Sequence, residues 1–222
     1  MNRPILCYVT DRQSLPRAGA DPESVLLECI ERAAHAGVDW IQLREKDLEG
    51  RPLLELASKA IAACAAAASG AEKQVRLIVN DRLDVAWTAR QTDGGGVHLG
   101  ENSVPVGEVA RWRNRAGCPD FLVGASCHSL EAAAAAAGAG ADYVFFGPVF
   151  ATPSKQSFGA PQGLQKLESV CRAVSIPVLA IGGITPGNAA SCLQAGAAGI
   201  AAIRLFQQAP EQVAAAVAQI RR

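Results

Sequence analysis

The sequence has no excess of charge of either sign, because its 21 Lys and Arg residues match its 21 Asp and Glu residues. Nucleic-acid binding usually relies on surplus cations, so this balance argues against a nucleic-acid partner. Long hydrophobic runs are also missing, since the alanine tracts at 65–68 and 132–137 are too short and too weakly apolar to span a membrane. The apolar run near Met1 is too short for a signal sequence. We therefore expect a soluble, cytoplasmic protein with no nucleic-acid or membrane partner.

Cysteine pairs at metal-binding spacing are missing too. The seven cysteines are odd in number and none forms a C-x-x-C motif, which argues against a disulfide framework and against structural zinc. Hydrophobic residues make up 50% of the chain, which is enough for a sizeable core, and 222 residues fit one domain. Because no linker interrupts the chain, we expect a single domain over residues 1–222.

Eight short apolar runs recur along the chain, and each is followed by a segment with helical character. They lie at 5–9, 40–44, 76–80, 96–99, 121–125, 143–146, 176–179 and 199–203. Nearly continuous apolar runs are typical of parallel strands that are buried on both faces of a sheet. The pattern predicts an α/β fold, a single-domain (β/α)8 TIM barrel, in which catalytic side chains follow the carboxyl ends of the strands.

The glycine pair Gly182-Gly183 follows the seventh apolar run and precedes a segment, 185–190, that is typical of a helix start. Glycine lets backbone N–H groups approach an anion closely, and the helix dipole adds positive potential there. In eight-fold barrels the loops after strands seven and eight commonly bind phosphate. The pair therefore predicts a phosphate site.

Three polar residues, Gln42, Arg44 and Lys46, alternate at the end of the second apolar run. Strand periodicity would place them on one face, where Arg binds a phosphate bidentately and Lys acts as a point charge. The alternative is a solvated charge cluster over residues 44–47 that pairs with itself. Because the residues close an apolar strand, the pattern favours a phosphorylated substrate.

Asn80 and Asp81 end the third run. A carboxylate beside an amide, close to cations, provides the hard oxygen ligands that a Mg²⁺–pyrophosphate complex needs. The alternative role for Asp81 is the N-cap of the following helix.

Histidine and serine side chains follow the fourth and fifth runs, at His98, Ser126 and His128. The two-residue spacing places Ser126 and His128 on one side if the strand stays extended. A histidine at this end of a barrel serves either as a hydrogen-bonded spacer or as a proton carrier near neutral pH. We favour packing for His98 and leave both roles open for His128.

The segment after the sixth run contains Thr152, Ser154 and Lys155 in a long loop that extends to Gly163. Long strand-to-helix loops are more often functional than short ones, and two hydroxyls with a lysine suit a second phosphate. A plain surface loop is the alternative.

Together these motifs resemble those of the thiamine phosphate synthase family and of the related thiazole tautomerases. The resemblance covers nearly the whole chain and rests on segments 8–11, 42–46, 80–82, 97–100, 124–126, 141–143, 147–150, 152–155 and 180–184. It implies a cytoplasmic enzyme of thiamine biosynthesis that couples an aminopyrimidine diphosphate to a thiazole phosphate and releases pyrophosphate. The implied partners are small phosphorylated substrates, and a homo-oligomer is compatible with the resemblance.

The resemblance also implies roles for individual residues. The pyrimidine diphosphate would be held by Gln42, Arg44, Lys46, Asn80, Ser126 and Lys155. Asp81 would be a ligand of Mg²⁺. The thiazole phosphate would be held by Thr152, Ser154, the backbone at Gly182 and Gly183, and the backbone after strand eight.

Two positions depart from the family pattern. Ser103 stands where the synthases usually have a second metal-binding Asp, and Arg204 stands where they usually have a phosphate-binding Ser. Arg204 would either strengthen a phosphate contact or fill the pocket.

The alternative function is a thiazole tautomerase, which needs no metal and would use His128 as its acid and base. A third possibility is a phosphate-ligand binder without catalysis. Because Arg44, Asn80 and Asp81 are retained, the sequence favours the synthase.

Overall fold

The computed structural model describes residues 3–15, 19, 21–67, 74–90, 95–152 and 160–222. Eight parallel strands form a closed barrel in which each strand pairs with its neighbours along the chain and the last pairs with the first. This confirms the predicted α/β TIM barrel. The strands are β1 (Ile5–Val9), β2 (Trp40–Leu43), β3 (Arg76–Asn80), β4 (Gly96–Leu99), β5 (Leu122–Cys127), β6 (Tyr143–Phe146), β7 (Val178–Ile181) and β8 (Gly199–Ala202).

Helices surround this barrel and follow the strands in order. They are α1 (Pro22–His35), α2 (Gly50–Ala67), α3 (Leu83–Ala89), α4 (Val106–Arg115), α5 (Leu130–Gly138), α6 (Gly163–Ala173), α7 (Ala189–Gln194), α8 (Arg204–Gln207) and α9 (Val213–Ile220). Asp21 caps α1, since its carboxylate accepts a hydrogen bond from the Ser24 N–H at 3.0 Å. In the described part of the chain, no helix combines the length and the apolar character needed to cross a membrane.

The inside of the barrel is a packed apolar layer below a polar mouth. Inward-facing side chains from alternate strand positions form one cluster, and a larger cluster lies between the strands and the helices. Gly124 on β5 is required by this packing, because a Cβ there would lie 2.1 Å from the Tyr143 ring. The inner cluster contains Cys7, Val9, Ile78, Tyr143, Phe145, Leu179 and Ala201.

Two strand ends differ from the prediction in ways that affect the mouth. β2 ends at Leu43 because the Arg44 N–H donates to the Thr10 hydroxyl, at 2.9 Å, and not to a neighbouring strand. Strand periodicity therefore does not extend to Lys46. β5 continues to Cys127, two residues beyond the predicted end, so Ser126 lies within the strand.

The helix that was expected to start within residues 185–190 begins only near the end of that segment. The Asn188 side chain accepts from the Thr185 N–H at 2.8 Å and donates to the Gly183 carbonyl at 2.9 Å. These bonds hold residues 185–188 in a turn, and α7 begins only at Ala189. The dipole of this short helix is therefore further from the glycine pair than the sequence suggests.

A buried carboxylate ties the chain ends to the barrel at the opposite side from the mouth. Asp39, which precedes β2, accepts from the Leu6 N–H at 2.9 Å and from the Arg221 guanidinium at 3.0 Å. Arg3 lies 3.7 Å from the same carboxylate. Removing one partner of a buried ion pair leaves an uncompensated charge, which is costly.

We expect Arg221→Met to lower the free energy of unfolding by about 2–3 kcal/mol. Urea denaturation at neutral pH measures this change. The matched control is Arg222→Met, because Arg222 is exposed. Equal stability of the two variants would show that the ion pair with Asp39 contributes little.

Candidate active site

The candidate site lies at the barrel mouth, where the carboxyl ends of the strands and their loops meet. Hydrogen bonds connect these ends from one strand to the next. The Thr10 N–H donates to the Gln42 carbonyl at 2.9 Å, and the Asp81 N–H donates to the His98 carbonyl at 2.8 Å. Backbone hydrogen bonds therefore extend the pairing of β1 with β2 and of β3 with β4 into the mouth, which fixes the backbone from which the side chains project.

The barrel mouth contains a polar layer formed by Gln42, Asn80, His98 and Ser126. His98 lies inside this layer. One ring nitrogen lies 2.9 Å from the Ser126 hydroxyl and the other lies 3.1 Å from the Tyr143 hydroxyl. The ring also contacts Phe145, with ring centroids 4.2 Å apart. Burial lowers the pKa of His98 to about 3, and the positive charge of Arg44 acts in the same direction. The His98 ring is neutral and both of its nitrogens are hydrogen-bonded, which supports the packing role that the sequence predicts for this residue.

The neutral polar side chains at the end of β2 and β3 form a pair. The Gln42 side-chain amide donates to the Asn80 side-chain oxygen at 3.0 Å, and Gln42 is almost fully buried. Asn80 is half-buried and lies opposite His98 in the strand register. The structure thus brings Gln42, Asn80, His98 and Ser126 onto neighbouring strands of one polar layer.

Asp81 has a backbone conformation that is unusual for a residue other than glycine, with φ of 66°. Its carboxylate accepts a hydrogen bond from the Ser103 hydroxyl, which in turn accepts from the Gly100 N–H at 2.7 Å. The N-cap of α3 is Arg82, with no capping side chain, so the alternative role of Asp81 as a cap is wrong. Asp81 is exposed at the mouth.

The donor set at Asp81 fits a magnesium ion that arrives with a diphosphate. Mg²⁺ commonly takes one or two protein carboxylates together with phosphate oxygens and water. The single proton of Ser103 engages one carboxylate oxygen, and the other oxygen remains available to a cation. Among the described residues there is no cluster of three or more His, Cys, Asp or Glu side chains, so a dedicated protein cage for a metal is not formed there.

The acids that follow β2 are bound by an arginine from another segment, which differs from the alternative of a cluster that pairs only with itself. Glu45 and Asp47 both bind Arg12, at 3.1 Å and 2.6 Å. Within the described ranges, neither carboxylate forms an ion pair with Arg44. Arg44 is half-buried, and its positive charge contributes to the lowered pKa of His98. The acids adjacent to Arg44 are thus engaged by Arg12 and not by the Arg44 guanidinium.

The glycine pair after β7 packs against the loop that follows β6. A Cβ on Gly182 would lie 2.5 Å from Pro148, and one on Gly183 would lie 2.7 Å from the Ala151 carbonyl oxygen. Both glycines have positive φ, 92° and 68°. In the part of the chain that the structure describes, the Gly183 N–H has no backbone acceptor. The close approach therefore fixes the loop, and the Gly183 N–H remains available to an anion.

The remaining predicted residues differ in their exposure to solvent. His128 is half-buried, and its Nδ1 donates to the Gly147 carbonyl, which leaves Nε2 as the acceptor. Lys46 and Arg204 are exposed and Thr152 is half-buried. An exposed Arg204 does not fit the expectation that this side chain fills the pocket. Ser154 and Lys155 lie outside the described residues.

Sequence reasoning gave no role to Thr10, Arg12 and Tyr143. Thr10 is completely buried directly after β1, and Tyr143 is buried inside the barrel. The available signal was position, because Thr10 and Arg12 follow the carboxyl end of the first strand. What the sequence could not show is that Arg12 binds carboxylates 33 and 35 residues further along the chain.

Comparisons with known proteins find relatives that are similar over most of the chain. A thiamine-phosphate synthase from Roseiflexus castenholzii is 40% identical over 213 residues, covering 96% of this chain and 85% of the relative. One from Methanoculleus marisnigri is 48% identical over 171 residues, covering 77% and 75%. A solved thiamine phosphate pyrophosphorylase from Pyrococcus furiosus is 32% identical, with a TM-score of 0.77 and coverage of 98% and 93%.

The fold and the site define an eight-fold βα-barrel enzyme whose polar mouth carries both a guanidinium and a carboxylate. The family model described as thiamine monophosphate synthase matches residues 6–206. The chain belongs to the thiamine monophosphate synthase family.

The neutral state of His98 predicts a pH dependence of stability. A histidine with an ordinary pKa of 6.5 in the unfolded chain and about 3 in the folded one binds a proton only on unfolding between these values. The unfolded state therefore gains protons as the pH falls, and stability falls by up to about 1.4 kcal/mol per pH unit. We expect this slope when the free energy of unfolding of His98→Gln is subtracted from that of wild type and the difference is plotted against pH below about pH 6.

Urea unfolding at several pH values measures the two stabilities. Taking their difference removes the contribution of the carboxylates, which both proteins share. Parallel curves would mean that His98 titrates normally in the folded protein.

Proposed function

We propose that this protein is a thiamine-phosphate synthase that joins an aminopyrimidine diphosphate to a thiazole phosphate and releases pyrophosphate. Transferase activity in thiamine biosynthesis is also what its relatives' names indicate over most of the chain. The observation that carries the proposal is that an arginine and a carboxylate directly follow the ends of the adjacent strands β2 and β3. Arg44 is free of the neighbouring acids, and Asp81 offers a carboxylate on the adjacent rim.

The reaction requires a leaving group with several negative charges to depart from the methylene carbon attached to the aminopyrimidine ring. The bond between the pyrimidine methylene carbon and the diphosphate oxygen breaks, and its electron pair leaves with the diphosphate. The thiazole nitrogen then donates its lone pair to the methylene carbon. Fixed cations and hydrogen-bond donors lower the barrier most when they face the atoms on which charge develops.

The residues near the polar layer are assigned to the diphosphate and its pyrimidine. Arg44 would bind the departing oxygens bidentately, and the amide and hydroxyl groups would orient the ring and the phosphates. Lys46 and Lys155 would add charge from the loops. The hydrogen-bonding side chains in this set are Gln42, Asn80 and Ser126, and neutral His98 holds Ser126 in place.

Asp81 is assigned to Mg²⁺, for which Ser103 orients one carboxylate oxygen. The bound ion would supply neutralising charge to the diphosphate oxygens. The thiazole phosphate is assigned to Thr152, Ser154 and Arg204 together with the Gly182 and Gly183 backbone. Support for this second site comes from the exposed Arg204 side chain and from the Gly183 N–H, which has no backbone acceptor among the described residues.

The thiazole tautomerase is the second candidate, and one observation favours it. The bond from His128 Nδ1 to the Gly147 carbonyl fixes a tautomer whose Nε2 can accept a proton. This base would suffice for isomerising a carboxythiazole phosphate. It gives no role to Arg44 and Asp81, however, and the relatives described above are named as synthases.

Purified protein, Mg²⁺ and the two phosphorylated substrates should give thiamine phosphate and pyrophosphate in equal amounts. We expect Arg44→Ala and Asp81→Asn each to lower kcat/KM by about 100-fold or more, because each removes charge stabilisation of the leaving group. Arg51→Ala is the matched control, since Arg51 is exposed on α2 and pairs only with Glu55 at 2.8 Å in the described structure.

Absence of coupling, with isomerisation of the carboxythiazole phosphate that His128→Ala abolishes, would replace the synthase by the tautomerase. Saturable binding of a phosphorylated ligand without either reaction would indicate a binding protein. Each outcome is read from the same protein preparation, so the three functions are separated directly.

The single carboxylate at the metal position predicts weak metal binding without substrate. Ser103→Asp places a second carboxylate beside Asp81, and this variant should gain affinity for free Mn²⁺ of about tenfold or more. Binding of Mn²⁺ alone, followed by electron paramagnetic resonance, measures the change. Ser129→Asp is the control, because Ser129 is exposed at the start of α5. Equal Mn²⁺ affinity of wild type and Ser103→Asp would contradict the assignment of Asp81.

A further inference from the structure

Arg12 forms five hydrogen bonds to two carboxylates beside the mouth, although it lies in the segment after β1 and not in the polar layer. Its two terminal nitrogens bind the two oxygens of Asp47, at 2.7 Å and 2.6 Å. One of them also donates to Glu45 at 3.1 Å, and the Arg12 backbone N–H donates to the same carboxylate at 3.0 Å. Arg12 therefore engages both acids that flank Lys46.

Thr10 connects this network to Arg44. The Thr10 hydroxyl donates to Glu45 at 2.6 Å and accepts from the Arg44 N–H at 2.9 Å. Thr10 is completely buried and Glu45 is 5% exposed. The backbone of Arg44 is thus held by a buried chain of contacts that ends on the Arg12 guanidinium.

The two acids after β2 are bound by a cation that lies outside their own segment. The segment from Arg44 to Asp47 has two cations and two acids, and it would be neutral if it paired internally. An arginine from another loop binds both acids, and neither acid forms an ion pair with Arg44 in the described structure. Burial raises the pKa of Glu45, while the hydrogen bonds from Thr10 and Arg12 oppose that change. Without Arg12, a buried carboxylate beside Arg44 would have only Thr10 as a side-chain partner.

We propose that Arg12 is a positioning residue for the diphosphate site: by binding Glu45 and Asp47 it keeps the Arg44 guanidinium available to an anionic substrate. The proposal rests on the proposed function for the identity of that substrate. Arg12 acts through the two acids and does not itself touch the diphosphate. Its loss should therefore be harmful only as long as those acids are charged.

The test measures the affinity for inorganic pyrophosphate by titration calorimetry in Arg12→Met and in the triple variant Arg12→Met with Glu45→Gln and Asp47→Asn. Arg12→Met should weaken pyrophosphate binding about tenfold, because Arg44 then pairs with the released carboxylates. The triple variant should bind pyrophosphate within about twofold of wild type, because neutral amides no longer compete for Arg44. Arg51→Met is the matched control, since it breaks an ion pair on an exposed helix.

Steady-state kinetics add a readout that a general loss of structure would not give. The KM for the pyrimidine diphosphate should rise in Arg12→Met while the KM for the thiazole phosphate stays within about twofold. Thermal unfolding of every variant separates a folding defect from a binding defect.

If Arg12→Met does not fold, the triple variant alone can still overturn the proposal. Affinity near that of wild type supports the role through the acids, whereas tenfold weaker binding in the folded triple variant means that Arg12 contacts the anion directly and overturns the proposal. Unchanged affinity in folded Arg12→Met also overturns it. A wild-type protein that binds pyrophosphate but couples no substrates refutes the synthase function alone, since the comparison of Arg12 variants still stands.

Discussion

Closure of the parallel sheet between β1 and β8 is the constraint on which the rest of the structure depends. Closure places the carboxyl ends of all eight strands on one rim, so residues far apart in the chain meet without any long loop. Gln42 and Asn80 bond across 38 residues, and His98 and Ser126 across 28. The small inner radius also explains why Gly124 must lack a side chain beside Tyr143.

The distribution of charge on this rim gives the fold its proposed chemistry. Acids and cations alternate after β2, yet Glu45 and Asp47 are bound from the first loop and Arg44 is not paired with them. A neutral His98 keeps the centre of the layer uncharged. Opposite charges, on Arg44 and Asp81, thus remain at the edge of a neutral polar layer. Such an arrangement suits a metal-associated diphosphate better than a single carboxylate or sugar.

The sequence predicted the strand order, the barrel and most strand bounds, because apolar runs and their spacing carry that information locally. The predicted ends of strands and helices were less accurate where a side chain, and not the backbone, is the hydrogen-bond partner of a backbone N–H group. Thr10 ends β2 early, and Asn188 holds a turn where a helix was expected. Both are hydrogen bonds that hydrophobic periodicity does not encode. The positions of Gln42 and Asn80 followed from the pattern, whereas the partner of Glu45 required the folded chain.

A crystal structure with Mg²⁺ and pyrophosphate bound tests the central claim most directly. The account predicts pyrophosphate oxygens on the Arg44 guanidinium and the cation on the Asp81 carboxylate, with Glu45 and Asp47 still bound to Arg12. A structure in which Arg44 turns to Glu45 and the pyrophosphate lies away from Asp81 would contradict it.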